Sequence, residues 1–165
     1  MSLSQRKTRD AKTPARQRDD DGLQWITLVQ TNGKDVRFRG TYIAEATSYR
    51  ASVPIWHVIH LYRRCASGCV SYVVSIRTHQ NTVGVEETIR VVRAASIEAV
   101  MDFLEQYSPE KEVQSSLSAS ELKRLGPVQA ALHTAKMRRD ISQVRRHYDA
   151  MVGDFLFNFG SLKLS

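Results

Sequence analysis

Residues 53–79 read VPIWHVIHLYRRCASGCVSYVVSIRTH, two apolar runs separated by the short segment ASG. β-Branched and aromatic side chains dominate both runs, as is typical of strands. Gly68 stands at the end of the intervening segment, which suits a three-residue hairpin loop with a glycine bulge. The stretch therefore predicts an antiparallel hairpin with strands over residues 53–64 and 69–79.

The loop length sets the predicted pairing of the two strands. A three-residue loop places Cys65 opposite Cys69 and Tyr62 opposite Tyr72. The face that contains the Tyr62–Tyr72 pair consists of Trp56, Val58, His60, Tyr62, Val70, Tyr72, Val74 and Ile76. We expect this face to be the core, because most of its side chains are apolar or aromatic. The other face mixes serines and arginines with aliphatic residues and is expected to be wetter.

Alternating apolar residues extend the sheet on both sides of the hairpin. WITLVQ (25–30) and VRFRGTYIAEATSY (36–49) flank an Asn-Gly turn signal, and VGVEETIRVVRAA (83–95) follows the hairpin. The second of these runs has the period of a half-buried strand. Gly40 interrupts its apolar side and predicts a bulge or a sharp bend. Together the runs predict a five-stranded antiparallel meander that is twisted or curled.

Helical spacing replaces the strand pattern from Ser96 onward. The segment SIEAVMDFLEQY (96–107) has apolar residues three and four positions apart, with Ser96 as its N-cap, and should cover one face of the sheet. Ser118 and Glu121 form a capping box that opens a short helix. A Gly-Pro pair then stops that helix and starts a longer one.

The predicted fold class is therefore α+β, an antiparallel five-strand meander covered by one helix, with a helical C-terminal extension. The predicted division of the chain is a disordered basic arm (1–21), the sheet with its helix (22–107), a polar linker (108–118) and the C-terminal helices (119–158). No apolar run is long enough to span a bilayer and the N-terminus lacks a secretory signal, so a cytoplasmic protein without membrane contact is expected.

A narrow apolar strip runs along the last predicted helix at alternating four- and three-residue steps. Its members are Met137, Ile141, Val144, Tyr148, Met151 and Phe155. A strip of this width is typical of a coiled-coil seam or of docking against one surface. It predicts either docking within the chain or an interface, formed by residues 137–151, with a second copy or another protein.

The charge of the chain is positive and unevenly distributed. The formal net charge is +7, and the segment 1–18 is rich in arginine and lysine. Lysine and arginine side chains release counterions when they contact phosphates, which favours nucleic acid as a partner. The predicted nucleic-acid-binding residues are Arg6, Lys7, Arg9, Lys12, Arg16, Arg18, Arg37, Arg39, Lys136, Arg138, Arg139, Arg145 and Arg146. Alternatively, Asp140 and Asp149 pair with the arginines of the last helix and leave a solvated face.

No recognised catalytic motif or metal-ligand pattern occurs in the chain. Two cysteines cannot complete a structural zinc site, so Cys65 and Cys69 are interpreted as small residues that flank a turn. His57, Arg77 and His79 are expected on one face, where they could hold a phosphate or act as acid and base. No carboxylate is predicted beside these histidines. We therefore expect a protein without catalytic residues, metal or cofactor.

The run WITLVQTNGKDVRFRGTYIAE (25–45), followed by LYRR (61–64), resembles the β-rich part of bacterial EXLDI-type proteins over about residues 23–105. The motif that names that family and its N-terminal DNA-binding-like segment are absent here. The family has no established chemistry, so the resemblance implies no functional residues.

Three functional hypotheses follow from these patterns. The first is a non-enzymatic basic accessory protein, of a bacterial, plasmid, phage or defence-system kind, that binds nucleic acid or a nucleoprotein assembly through phosphate contacts. The second is a protein-binding module or inhibitor that acts through its C-terminal helices. The third is a small enzyme or ligand-binding protein that uses the curled sheet near His57, Arg77 and His79.

Overall fold

The structure is a computed structural model that describes residues 22–162. Its strands are β1 (Gln24–Leu28), β2 (Val36–Thr47), β3 (Ile55–Ala66), β4 (Cys69–Gln80) and β5 (Thr88–Ala94). Its helices are α1 (Ile97–Gln106), α2 (Ala119–Lys123) and α3 (Pro127–Leu162), with a 3-10 helix at Pro109–Glu112. The predicted basic arm, residues 1–21, lies outside the described residues.

The five strands form one antiparallel sheet in the order β1-β2-β3-β4-β5, which confirms the predicted meander and the α+β class. The segment after β1 joins the opposite edge of the sheet. The Thr31 N–H donates to the Ile89 carbonyl at 2.9 Å, and the Ile89 N–H donates to Thr31 Oγ1 at 2.9 Å. The Val91 N–H donates to Gln30 Oε1 at 3.3 Å. The sheet therefore curls until its edges meet and has an inner and an outer face.

The β3–β4 hairpin turns through two residues, and the predicted three-residue loop is wrong. Ser67 and Gly68 both have positive φ, 50° and 77°, the backbone that matches the twist of a two-residue hairpin. Ala66 consequently pairs with Cys69, and Cys65 pairs with Val70. Because side chains alternate along a strand, the shift by one residue puts the two free cysteines on opposite faces.

The predicted core face of β3 is also wrong. The alternate set is buried instead, consisting of Ile55, His57, Ile59 and Leu61. It lies on the outer face, where Leu61 pairs with Val74 and Ile59 pairs with Ile76 beneath the helices. The expected core residues Trp56, Val58, His60 and Tyr62 are only partly buried and lie on the inner face. The helices supply more apolar surface than the curl does, so the aliphatic set faces them.

A bulge in β2 changes which face its side chains occupy. The pairing with β3 shifts between Tyr42 and Ala44, so Tyr42 lies on the inner face and Ala44 on the outer. Gly40 marks a close approach rather than the bulge, since a Cβ there would lie 2.1 Å from the Arg63 carbonyl oxygen. The strict alternation predicted for residues 36–49 therefore fails after Tyr42.

Helices α1 and α3 together cover the outer face. The Ala99 N–H donates to Ser96 Oγ at 3.2 Å, as the predicted N-cap requires. Beside α1, the second half of α3 packs on the same core through Tyr148, Met151 and Phe155. The capping box of Ser118 and Glu121 at the start of α2 is confirmed. Among residues 22–162, no helix combines the length and the apolarity needed to cross a membrane.

The apolar strip of α3 docks within the chain. Val144 packs against Val53 and Ile55, while Tyr148 and Met151 belong to the main core. These three side chains of the predicted partner interface are buried and are not available to a partner in this fold. Met137 and Ile141 are partly buried. The first alternative, docking inside the chain, is the one that the fold uses.

Candidate nucleic-acid interface and inner cleft

Three arginines and a tryptophan share an exposed part of the outer face. Arg39 pairs with Trp25 across β1 and β2, and Arg63 pairs with Thr41 across β2 and β3. Arg37 lies two residues before Arg39 and so on the same face. We call Trp25, Arg37, Arg39 and Arg63 the arginine surface. The sequence predicted two of its members, Arg37 and Arg39, as nucleic-acid-binding residues.

Stacking orders one side chain of the arginine surface. The Arg37 guanidinium lies 4.7 Å from the centre of the Trp25 ring, which remains 40% exposed. Within the part of the chain that the structure describes, neither Arg37 nor Arg63 is in an ion pair with a carboxylate. Both side chains are exposed, so their charges are available to an anion.

The basic residues of α3 divide into paired and unpaired sets. Lys136 Nζ lies 2.8 Å from Asp140. Arg145 binds Asp149 at 2.9 Å and Glu110 at 3.3 Å. Carboxylates therefore neutralise the charges of Lys136 and Arg145, two of the residues predicted to contact phosphate. The predicted alternative, pairing with Asp140 and Asp149, holds for these two side chains.

Arg138, Arg139 and Arg146 are exposed and form no ion pair among the described residues. Arg139 and Arg146 are seven positions apart and lie on the same side of α3, about 10 Å apart along its axis. The six basic residues predicted in the arm (Arg6, Lys7, Arg9, Lys12, Arg16 and Arg18) lie outside the described residues.

Trp25 and its contact with Arg37 were missed in the sequence. The signal was present as alternation, because Trp25 and Thr27 fall on the side of β1 opposite Ile26 and Leu28. Once β1 and β2 are paired, the polar side of one strand must lie beside the arginine side of the other. The register of β1 with β2 could not be predicted from the sequence. The connection between the two strands, residues 29–35, is longer than a two-residue Asn-Gly turn, which would have fixed the register.

The inner face encloses a cleft of about 780 Å³, which we call the inner cleft. Its lining residues are Gln24, Trp25, Ile26, Thr27, Leu28, Val29, Tyr42, Glu45, His60, Tyr62, Arg77, Glu87 and Ile89. β1 and Ile89 provide a mainly aliphatic wall, whereas β2, β3, β4 and Glu87, just before β5, provide rings and charges. The ring centres of Tyr42 and Tyr62 are 5.7 Å apart, in an edge-to-face arrangement.

Two carboxylates bind the basic groups beside the inner cleft. Glu45 Oε2 lies 3.2 Å from His60 Nε2, and Glu87 lies 3.7 Å from Arg77 Nη1 and 3.4 Å from His79 Nδ1. Burial lowers the pKa of His60 and the charge of Arg77 lowers it further, against the opposing effect of Glu45. His60 is therefore neutral near pH 7.

The predicted trio of His57, Arg77 and His79 is not on one face. His79 pairs with Trp56 and Arg77 pairs with Val58, so both point to the inner side, whereas His57 is fully buried beneath the helices. The prediction followed from the one-residue error in the hairpin register. A site that combines all three side chains is therefore ruled out by the pairing.

His57 belongs to a buried network around Glu112. His57 Nε2 lies 3.0 Å from Glu112 Oε2, and the Tyr107 hydroxyl donates to Glu112 Oε1. Burial alone would raise the pKa of Glu112, but hydrogen bonds from His57, Thr78 and Tyr107 outweigh it and lower that pKa. The expectation that no carboxylate orients a histidine was wrong, because Glu112 comes from the segment predicted as a linker.

The Glu112 network is best explained as structural. His57 has no exposed surface, and its ring contacts Tyr107 and Tyr148 edge-on at centroid distances of 5.8 and 5.3 Å. The network joins the sheet, the end of α1, the 3-10 helix and α3.

Comparison with protein-family models, curated proteins and solved structures found no match to this chain. The resemblance to EXLDI-type proteins therefore stays a prediction.

Proposed function

We propose that this protein is a non-enzymatic, basic accessory protein that binds nucleic acid, alone or in a nucleoprotein assembly, through phosphate contacts. The observation that carries the proposal is the arginine surface, where Arg37 and Arg63 are exposed beside Trp25 and Arg39. Guanidinium groups donate paired hydrogen bonds to phosphate oxygens, and such contacts provide most of non-specific affinity.

The stacking of Arg37 on Trp25 supports this function further. A guanidinium held on a ring loses less conformational entropy when it binds than a free side chain does. The guanidinium carbon lies 4.7 Å from the ring centre, within the range of a cation–π contact. Arg139 and Arg146 on α3 add exposed positive charge, whereas Arg145 and Lys136 contribute little because carboxylates bind them.

Salt dependence of affinity tests the proposal. Replacing Arg37 and Arg63 together with glutamine should weaken binding of labelled DNA or RNA of any sequence. The slope of log affinity against log salt should become shallower by about 1.8 for duplex DNA and about 1.4 for a single strand, which corresponds to two lost phosphate contacts. Fluorescence anisotropy over a salt series measures both quantities.

Arg145→Gln provides the matched control. It removes a positive charge as each of the other substitutions does, but from a side chain that Asp149 and Glu110 already neutralise. Its affinity and salt slope should stay close to those of the unchanged protein. An equal loss in both variants would mean that net charge alone governs binding, and absence of any binding at low salt would refute the proposal.

A second candidate function is a protein-binding module that acts through the first half of α3. Val128 and Leu132 are 73% and 66% exposed, and Arg139 follows on the same side of the helix. This combination of apolar and positive side chains suits an acidic partner surface. Light scattering of the protein mixed with a captured partner, with and without Leu132→Glu, would test it by the mass of the complex.

A further inference from the structure

The inner cleft and the arginine surface meet at β1. Trp25 belongs to the strand that lines the cleft, while its ring, on the outer face, supports the Arg37 guanidinium. β1 has only five residues, and β2 is its one neighbour in the sheet order. A polymeric ligand bound along the arginine surface therefore has to cross only β1 to place a substituent in the inner cleft.

The walls of the inner cleft suit flat rings. Tyr42 is 50% exposed and stands edge-to-face with Tyr62, while Ile26, Leu28 and Ile89 line the other side. Exposed aromatic rings bind bases by stacking, whatever the base, because every base has a π-face. The volume of about 780 Å³ lies within the range of small-molecule sites and accommodates a base with its sugar.

The charges of the inner cleft select against phosphate. Glu45 and Glu87 are carboxylates on its lining, Arg77 is the one formally charged base among the lining residues, and His60 is neutral. The lining therefore carries a net negative charge that repels phosphate and leaves an uncharged ring unaffected. On the far side of β1 the arginine surface has the opposite sign. This arrangement orients a nucleotide with its base inward and its phosphate outward.

We propose that the inner cleft takes the unpaired bases of a single-stranded nucleic acid whose phosphates lie on the arginine surface. The inference rests on the proposed function and adds the form of the ligand. Tyr42 is the stacking ring, and Arg77 donates to an acceptor on the base edge. Duplex bases are stacked and paired, so they cannot enter the cleft without being extruded.

Three labelled probes test the inference in direct binding to the full chain. They are a short single strand, a hairpin duplex of the same composition, and an abasic strand with the same number of phosphates. The single strand should bind about 5- to 150-fold more tightly than the abasic strand, which is the range for stacking one base. The duplex should bind with the affinity that its phosphates provide.

Tyr42 and Tyr49 form a matched pair of variants. Both tyrosines are about half exposed, 50% and 49%, but only Tyr42 lines the cleft. Tyr42→Ala should weaken single-strand binding about tenfold and leave abasic binding unchanged, and Tyr42→Phe should retain the affinity. Tyr49→Ala should behave like the unchanged protein. Circular dichroism of each variant checks that the fold is intact.

The outcomes separate this inference from the proposed function. Equal affinity for all three probes, unaffected by Tyr42→Ala, would overturn the cleft as a base site while leaving phosphate binding in place. No binding of any probe would overturn both. A loss of affinity in Tyr42→Ala that extends equally to the abasic strand would also refute base stacking.

Discussion

At the scale of single residues, Glu112 is a partly buried carboxylate that connects separate elements of the fold. It accepts hydrogen bonds from His57 and Tyr107, and these partners belong to β3 and to the end of α1. Its pKa is lowered from an ordinary value of 4.5, since the hydrogen bonds favour the carboxylate. Between the folded and unfolded pKa values, the unfolded chain binds more protons. The stabilisation is therefore complete above about pH 4.5 and is lost as pH falls through the folded pKa.

Glu112→Gln should lower the free energy of unfolding at pH 7 by about 1.5–3 kcal/mol, because charged hydrogen bonds become neutral ones and one donor loses its partner. Urea unfolding at pH 7 and at pH 4 measures this difference, which should shrink at the lower pH. Glu105→Gln, at an exposed position of α1, is the control and should have no measurable effect. A difference that does not depend on pH would mean that the carboxylate charge is not what stabilises the network.

At the scale of elements, alternation and helical spacing in the sequence predicted all five strands and the capped starts of α1 and α2. Register was not predictable, because a turn of two or three residues leaves the same apolar pattern in both strands. The error moved His60 and Tyr62 from the expected core to the inner cleft, and His57 away from Arg77. The prediction that Arg37 and Arg39 share one face of β2 was correct, because it depends on alternation alone. The Glu112–His57 contact escaped prediction because the two residues are 55 positions apart in sequence.

The β3–β4 turn gives a prediction for this hairpin. Ser67 has φ of 50° and precedes Gly68, so the pair occupies the two left-handed positions of a tight turn. Asparagine tolerates that backbone better than serine, and Ser67→Asn should stabilise the protein by about 0.5–1 kcal/mol. Gly68→Ala should destabilise it by a similar amount, since φ is 77° there. Thermal unfolding of both variants measures the two shifts, and a shift of the same sign in both would contradict a two-residue turn.

At the scale of the whole molecule, the two faces of the curled sheet differ in what covers them. The outer face is divided between the core under α1 and α3 and the exposed arginine surface. The inner face has a smaller core, formed by Ile26, Leu28, Phe38 and Val73, and the cleft beside it. Packing on the outer face leaves the inner cleft open because the helices never enter the curl. The apolar strip of α3, which by itself was compatible with self-association, is what closes the outer core.

The docking of α3 can be tested with two substitutions to aspartate on the same helix. Val144 is 1% exposed and packs between β3 and the segment before it, whereas Leu132 is 66% exposed on the first half of α3. Val144→Asp should lower the free energy of unfolding by about 3 kcal/mol or more, because it buries an unpaired carboxylate. Leu132→Asp should change it by less than about 0.5 kcal/mol. Chemical unfolding followed by tryptophan fluorescence reports on the sheet, where both Trp25 and Trp56 lie. If Val144→Asp left the unfolding of the sheet unchanged, α3 would be an independent helix, and the strip would again be free to bind a partner.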